Sequence, residues 1–324
     1  MRAIVYTKYG PPLDVLRVQD IDKPSPKDNE VLVKVHAASV NALDWRLFTL
    51  PRIVVKVVGL LSGIGSSKDK SLGADFAGRV EAIGPGVTQF RVGDDVFGST
   101  RGSFREYVCA AETRMVRKPA AVSFEAAAAV PVAGLTALQA VRHHAKIQPG
   151  QKVLINGAGG GIGTFAVQIA KASGAEVTAV CSTRNQDVAR SIGADHVIDY
   201  EREDCTRSGR RYDAVIAVNG YHSLLAYRRI LKRGGTYVVL GGSLWQMFQQ
   251  LVFGPVLSRL GPEKFLGMMT RPSQEDLLAL QELLESGKVV PVIDRRYPLG
   301  EVAAAISYLI EGHSSGKVII TFSA

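Results

Sequence analysis

Cysteine is scarce in this chain, with 3 in 324 residues. Cys109, Cys181 and Cys205 stand far apart and form no CxxC pair, which excludes a disulfide framework and suits a reducing compartment. The cytoplasm is the expected location. Long apolar runs are lacking too. The longest uncharged stretch, Ala126 to Val141, is broken by Pro131 and falls short of the ~20 residues that span a bilayer, so it reads as a buried helix. No charged leader with an apolar core precedes the strand pattern at Ala3 and Val5, so no export or transit signal is expected. There is no internal repeat, and the alanine run Ala126 to Ala129 is the one low-complexity tract. The net charge of +9 is spread out. Its densest groups, Arg207, Arg210 and Arg211, then Arg228, Arg229, Lys232 and Arg233, lack the interleaved aromatics of a base-stacking surface. They read as solvated faces. Neither a nucleic-acid partner nor stable membrane insertion is expected.

What is present is length for two domains and an apolar fraction of 46%, that of an ordinary globular protein. The chain is organised around residues 152–184. Val153, Leu154 and Ile155 make the branched apolar run of a strand buried on both faces, and a glycine cluster follows at once. Phe165, Ile169 and Ala172 then recur at helical spacing until Gly174, and Val177 to Val180 read as a second buried strand. This is a βαβ unit. Its turn fits AxGxxG at Ala158, Gly160 and Gly163, with further glycines at 157, 159 and 161. Such a turn lets backbone approach a pyrophosphate, while the helix behind it offers unpaired N–H groups and a positive dipole end. Gly159, Gly160, Gly161, Ile162 and Gly163 are therefore expected to bind a dinucleotide.

The end of the second strand chooses among dinucleotides. About 20 residues past the turn, an NAD site places Asp or Glu against the ribose 2′-hydroxyl. Here the residues are Cys181, Ser182, Thr183 and Arg184, with no carboxylate among them. Two hydroxyls and a guanidinium suit a 2′-phosphate, so NADPH is the expected cofactor. The competing reading makes Arg184 a solvated loop charge.

The flanking sequence differs in character. Ala3 and Val5, then Val15, Leu16 and Val18, then Val31 to Val35 alternate as strands of a twisted, partly open barrel. Leu72 to Phe97 continues that pattern with turns at Gly84-Pro85-Gly86 and Gly93-Asp94, and Ser103 to Cys109 adds a strand. Residues 52–70 read as a lid or pocket wall, as a peripheral membrane contact, or as surface loop packing. Ser123 caps a helix running to Val141. The βα rhythm resumes at His196–Asp199, Ala214–Val218 and Tyr237–Leu240, with Met268–Thr270 as a final strand. Gln274–Ser286 reads as an amphipathic helix, and Val289–Phe322 returns to strand, helix and strand. The expected division is 1–124 for a first domain, 125–272 for a doubly wound nucleotide domain, and 273–324 rejoining the first.

Taken together, AIVYTKYGPP at the N-terminus, LGADFAGRVEAIGPGVTQFRVGDDVFG, VPVAGLTALQAV, the glycine turn and the closing GKVIITF resemble the medium-chain dehydrogenase/reductase superfamily, and within it the zinc-free quinone and enone reductase branch. The resemblance covers nearly the whole chain. It implies a groES-like β-barrel domain joined to a doubly wound, parallel-sheet (Rossmann) domain. The short-chain class is a poor match, because none of the ten tyrosines is followed by Lys at the fourth position. Zinc alcohol dehydrogenases carry a catalytic Cys and His where this chain has Asn41 and Ala74, and three cysteines cannot build their four-cysteine lobe.

The resemblance places Asn41 at the nicotinamide and acceptor oxygen, as the catalytic residue. It places Thr136 at the carboxamide, Arg184 and Tyr200 at the adenosine phosphate, and Lys317 against the cofactor. Val218, Gly241 and Gly242 complete the cofactor set, and Asn185 stands where a phosphate-binding Lys is common. Each has a plainer reading: Asn41 as a turn former, Thr136 as a self-bonded helix residue, Tyr200 as a packing aromatic, Lys317 as a surface charge. Asp44 reads as a backbone anchor, and water as the proton donor. Without a metal the natural acceptors are already electrophilic, so the expected reaction is hydride transfer to a quinone or an α,β-unsaturated carbonyl. The alternatives are a zinc-free carbonyl reductase or alcohol dehydrogenase, and a dinucleotide-fold binding protein at a membrane or on RNA. The family commonly dimerises through the last strand of the nucleotide sheet.

Overall fold

The computed structural model describes residues 1–6, 8, 10–49, 72–242, 244–312 and 314–322, with backbone alone at 46–49, 244 and 247. The segment 52–70, read above as a lid or a membrane contact, lies outside them. The chain forms two units, one of Met1–Val132, Pro272–Gln281 and Ile293–Ala324, the other of Ala133–Arg271 and Glu282–Val292.

In the first unit, β1 (Arg2–Tyr6) and β2 (Leu16–Asp20) form an antiparallel ribbon. A seven-stranded sheet contains β3 (Glu30–Ser39), β4 (Asp75–Ile83), β5 (Asp95–Ser99), β6 (Tyr107–Ala111), β7 (Met115–Arg117), β14 (Ile293–Pro298) and β15 (Lys317–Thr321). Its order is β14-β15-β3-β4-β5-β7, with β6 also paired to β3. The β3–β4 register slips at Leu32/Val33 and again at Val35/Ala37, and such bulges bend a strand and strengthen its twist. Alternation then sends Val31, Val33, Val35, Phe76, Val80 and Val96 into one core. Ile4, Leu16, Ala38, Phe104, Ile306 and Val318 form a second.

Two boundaries differ from those expected. Pro12–Val15 is a helical turn, so β2 starts only at Leu16. Ser103 to Glu106 is not strand: the amides of Gly102 and Ser103 both donate to Gly73 O, and Phe104 N donates to Leu72 O. Those bonds tie the segment to a loop before β6 can begin.

The second unit is a parallel sheet ordered β10-β9-β8-β11-β12-β13, where β8 is Lys152–Asn156, β9 Glu176–Cys181, β10 His196–Asp199, β11 Tyr212–Ala217, β12 Leu231–Val239 and β13 Lys264–Gly267. The order reverses at β8, and the crevice at the carboxyl end of β8 and β11 is where sheets of this type take a ligand. Val153, Leu154, Ile155, Val177 and Val215 are fully buried, as strands covered on both faces require. Met268–Thr270, expected as the final strand, follows it instead. The β12–β13 register ends at Val239↔Gly267, three residues earlier than the apolar run alone indicated.

The segment expected as one helix from Ser123 to Val141 is three pieces. Ser123 Oγ accepts from Ala126 N at 3.1 Å and caps Phe124–Ala128. Pro131 starts a new helix to Leu138, since a proline inside the first would remove a donor and clash with the preceding turn. Gln139–His144 then widens to a π turn.

Gly163 fixes how the helix Gly161–Ala172 sits on β8. A Cβ there would stand 2.0 Å from Gly157 O and 2.7 Å from Ala158 Cα. Gly163→Ala should lower unfolding stability by about 1–3 kcal/mol, read as a reduced urea midpoint at unchanged slope. An unchanged midpoint would show that this contact does not constrain the helix.

Candidate active site

The glycine turn lies between β8 and the helix Gly161–Ala172, at the carboxyl edge of the sheet. Gly157 has φ +89°, a region where a side chain is strained, and a Cβ on it would press on Asn219 N at 3.1 Å. Gly159 is closed from below: a Cβ would meet Asn185 Nδ2 at 2.4 Å. Gly160, by contrast, has only Gly157 O at 3.7 Å from its notional Cβ. Gly160 is the N-cap and offers no side chain to the first helical turn, which starts with half-buried Gly161 and Ile162. An uncapped, glycine-walled helix start is a fitting seat for a pyrophosphate.

Beyond β9, Ser182 is buried while Thr183 and Arg184 are exposed. The parallel register Asp199↔Cys181 brings a carboxylate here that the linear sequence did not place. Thr183 Oγ1 lies 2.5 Å from Asp199 Oδ2 and 2.9 Å from Glu201 Oε2. Asp199 is fully engaged, also accepting from Gln186 Nε2 and Glu201 N and lying 3.6 Å from Arg202. The Thr183 hydroxyl bond leads the effects that hold its pKa below the usual carboxylate range. Asn185, met in the place of a lysine, is buried with its amide against Gly159. Tyr200 is 45% exposed and packs edge-on to Tyr221.

Three other expected residues end strands or follow them. Val218 N donates to Asn156 O, extending the β11–β8 pairing. Gly241 and Gly242 follow β12. A Cβ on Gly241 would meet Val218 O at 3.0 Å, and Gly242 has φ +141° and bridges to Gly220. Thr136 Oγ1 is 2.7 Å from Thr270 Oγ1, while Gln139 clamps Arg271 through both its main-chain groups.

In the first unit, Asn41 and Lys317 come together. Lys317 is 3% exposed and its Nζ donates to Asn41 Oδ1 at 2.7 Å and Val40 O at 3.2 Å. It is therefore no surface charge. Asn41 Nδ2 donates to Asp75 Oδ2 at 2.9 Å and more weakly to Ser39 O at 3.4 Å. Asp75 also accepts from Ser39 Oγ at 2.6 Å and Val132 N at 2.9 Å, and lies 3.7 Å from Lys317 Nζ. Burial pushes the Asp75 carboxyl up and the Lys317 ammonium down, and their mutual attraction opposes both shifts. Asp44 anchors backbone, as expected, accepting from Asn41 N and Gly73 N at 2.7 and 3.2 Å. Desolvation carries its pKa up to about 7.

Asp75 and Ser39 are the partners that sequence reading missed. The available signal was a carboxylate directly ahead of the apolar start of a strand, Asp75-Phe76-Ala77.

The fold defines a class: a GroES-like β unit with a dinucleotide-type parallel sheet. Residues 27–120 match the alcohol dehydrogenase GroES-like domain and 192–320 the zinc-binding dehydrogenase domain. A chloroplast envelope quinone oxidoreductase homolog of Arabidopsis thaliana is 33% identical over 99% of this chain and 98% of its own length. The quinone oxidoreductase of Coxiella burnetii superposes with a TM-score of 0.87 at 31% identity, covering 99% of both chains. That of Escherichia coli, solved in complex with NADPH, gives 0.82 at 25%, covering 99% of this chain and all of the other. The chain belongs to the medium-chain dehydrogenase/reductase superfamily, in its quinone oxidoreductase branch. This is an NAD(P)-binding oxidoreductase family.

Tetrahedral zinc sites are built mainly on thiolate and imidazole donors, with carboxylate as an added ligand. The described groups around Asn41 are an amide, a hydroxyl, two carboxylates and the Lys317 ammonium, which already supplies the local positive charge. This donor set does not fit zinc.

The raised Asp44 pKa makes a pH prediction. The native state holds a proton that the unfolded chain, with its ordinary value of 3.8, releases, so this contribution is full at low pH and is lost as pH rises toward 7. The stability lead of wild type over Asp44→Asn should shrink between pH 4 and 7 in denaturant titrations. A constant lead across that window would refute the assignment.

Proposed function

We propose that this protein is an NADPH-dependent reductase delivering hydride to a quinone or an α,β-unsaturated carbonyl without zinc. The observation that carries the cofactor choice is the exposed Arg184 beside Ser182 and Thr183, while Asp199, the carboxylate that the register brings to the end of β9, already accepts from Thr183, Gln186 and the Glu201 amide. Ser182, Arg184 and Tyr200 then receive the 2′-phosphate, with Arg184 supplying the charge. The presence of NADPH in the Escherichia coli relative's structure supports the same choice. Gly159 to Gly163 take the pyrophosphate on the helix start, and Gly241 and Gly242 give the nicotinamide a close approach free of side chains, with Val218 beside them. Thr136 meets the carboxamide.

At the acceptor, Lys317 and Asp75 act as positioning residues. They fix the Asn41 amide in one orientation, leaving its weakly bonded second Nδ2 hydrogen for the acceptor oxygen. Hydride adds two electrons and one hydrogen to the acceptor carbon or quinone. The resulting enolate or phenolate oxygen is stabilised by that hydrogen bond, and a proton from water completes the product. A simple alcohol would need a metal to become an alkoxide, and the donors around Asn41 do not suit one. The free cysteines agree with a reducing compartment such as the cytoplasm, and no helix among the described residues is long and apolar enough to cross a membrane.

Arg184→Ala should raise the Kd for NADPH about tenfold to hundredfold, the loss of one charge-assisted contact, and leave that for NADH unchanged. Equal effects on both cofactors, or none, would remove Arg184 from the phosphate site. In a panel of quinones, alkenals, ketones and primary alcohols, turnover should be confined to the first two and survive a zinc chelator. β13 is an edge strand of its sheet, and we place a homodimer contact along it. Light scattering should give twice the chain mass, and a strict monomer would refute the contact.

A further inference from the structure

We propose that Asp204, Cys205 and His222 bind one divalent transition-metal ion, zinc by the character of the donor set, at a site apart from the hydride chemistry. The three residues come from two connections of the parallel sheet, Asp204 and Cys205 at the turn after β10 and His222 in the loop after β11. A carboxylate oxygen, a thiol sulfur and an imidazole nitrogen lie within 4.8 Å of one another. Zinc bonds of about 2.0–2.3 Å in a tetrahedron hold donor atoms roughly 3.3–3.8 Å apart. His222 Nε2 and Asp204 Oδ1 already stand at 3.6 Å, so the sulfur has roughly 1 Å at most to close.

The donors are also held in place. Asp204 Oδ1 accepts from Thr206 N and Thr206 Oγ1, at 2.8 and 2.7 Å, which fixes the carboxylate. The His222 ring is braced between Tyr221 and Tyr227, with centroids at 4.8 and 5.7 Å. Cys205 is 1% exposed, and metal binding would convert its thiol to thiolate with release of a proton to solvent, leaving thiolate and carboxylate to balance the dication. Asp204 and His222 line a cavity of about 260 Å³ together with Tyr200, Glu201, Arg202 and Glu203, in which the carboxylates outnumber the one guanidinium and whose space admits a water as fourth ligand. Soft thiolate beside imidazole and one carboxylate selects zinc over magnesium or calcium.

The test uses the full chain, stripped of metal and titrated with Co²⁺ alone. A thiolate-to-cobalt charge-transfer band should grow to saturation at one equivalent, release protons, and vanish on adding Zn²⁺. Cys205→Ser should abolish the band, and His222→Ala, which keeps the thiol, should weaken Co²⁺ binding at least about tenfold. Circular dichroism reports that each variant is folded, and if Cys205→Ser is not, His222→Ala decides alone. Absence of a saturable thiolate band in the wild type, or a folded variant binding like the wild type, would overturn the proposal. The readout is cobalt binding and not NADPH oxidation, so the two readings fail separately.

Discussion

A lysine ammonium with almost no access to water is the constraint around which the first unit is arranged. Taking such a charge out of solvent carries a penalty of several kcal/mol unless acceptors surround it. Lys317 meets that demand with Val40 O, Asn41 Oδ1 and the nearby Asp75 carboxylate. Because these belong to the last strand, the end of β3 and the start of β4, the ion pair draws together segments more than 200 residues apart in the chain. One consequence is chemical: an amide otherwise free to flip is given a carbonyl side and an amino side. Removing any one member would leave each of its partners one interaction short in a buried setting.

The second unit reaches its function by the opposite route, through groups that are missing. At Gly163 and Gly159 side chains are excluded by neighbouring atoms already in contact, and at Gly157 by a positive φ as well. Around Gly160 the exclusion leaves open space. The same residue type thus serves packing beneath the turn and access above it. The helix start needs no side-chain cap of its own when an anion is to supply the missing acceptors.

The βαβ unit was legible because Val153 to Ile155 and Val177 to Val180 are unbroken branched runs and the glycines between them have few other uses. His196–Asp199 was read to the residue for the same reason. Legibility failed where the pattern has no period. The helix Leu244–Leu260 contains Gly254 and Pro255, buries Gln246 and Gln250 and exposes Trp245, Phe248, Leu251 and Leu260, so no amphipathic signal marks it. The last strand ends three residues earlier than read because Phe265 to Met269 carries no polar residue, and hydrogen-bond register, not hydropathy, decides where pairing stops. At the candidate site, Asn41 and Lys317 were found through the family pattern, but what they touch was not. Asp75 meets them only through tertiary pairing, and Asp199 meets Thr183 only through the register of β9 with β10.

The bond from Thr183 to Asp199 also bears on how such a protein can diverge. It pins the backbone of the loop after β9 to its neighbour, so the shape of the loop does not depend on the adjacent, outward-pointing Arg184. A position relieved of structural duty in this way tolerates replacement without harm to folding. Coenzyme preference, if lodged there, becomes a trait that one codon can change, and lineages sharing this frame are free to switch between reductant pools.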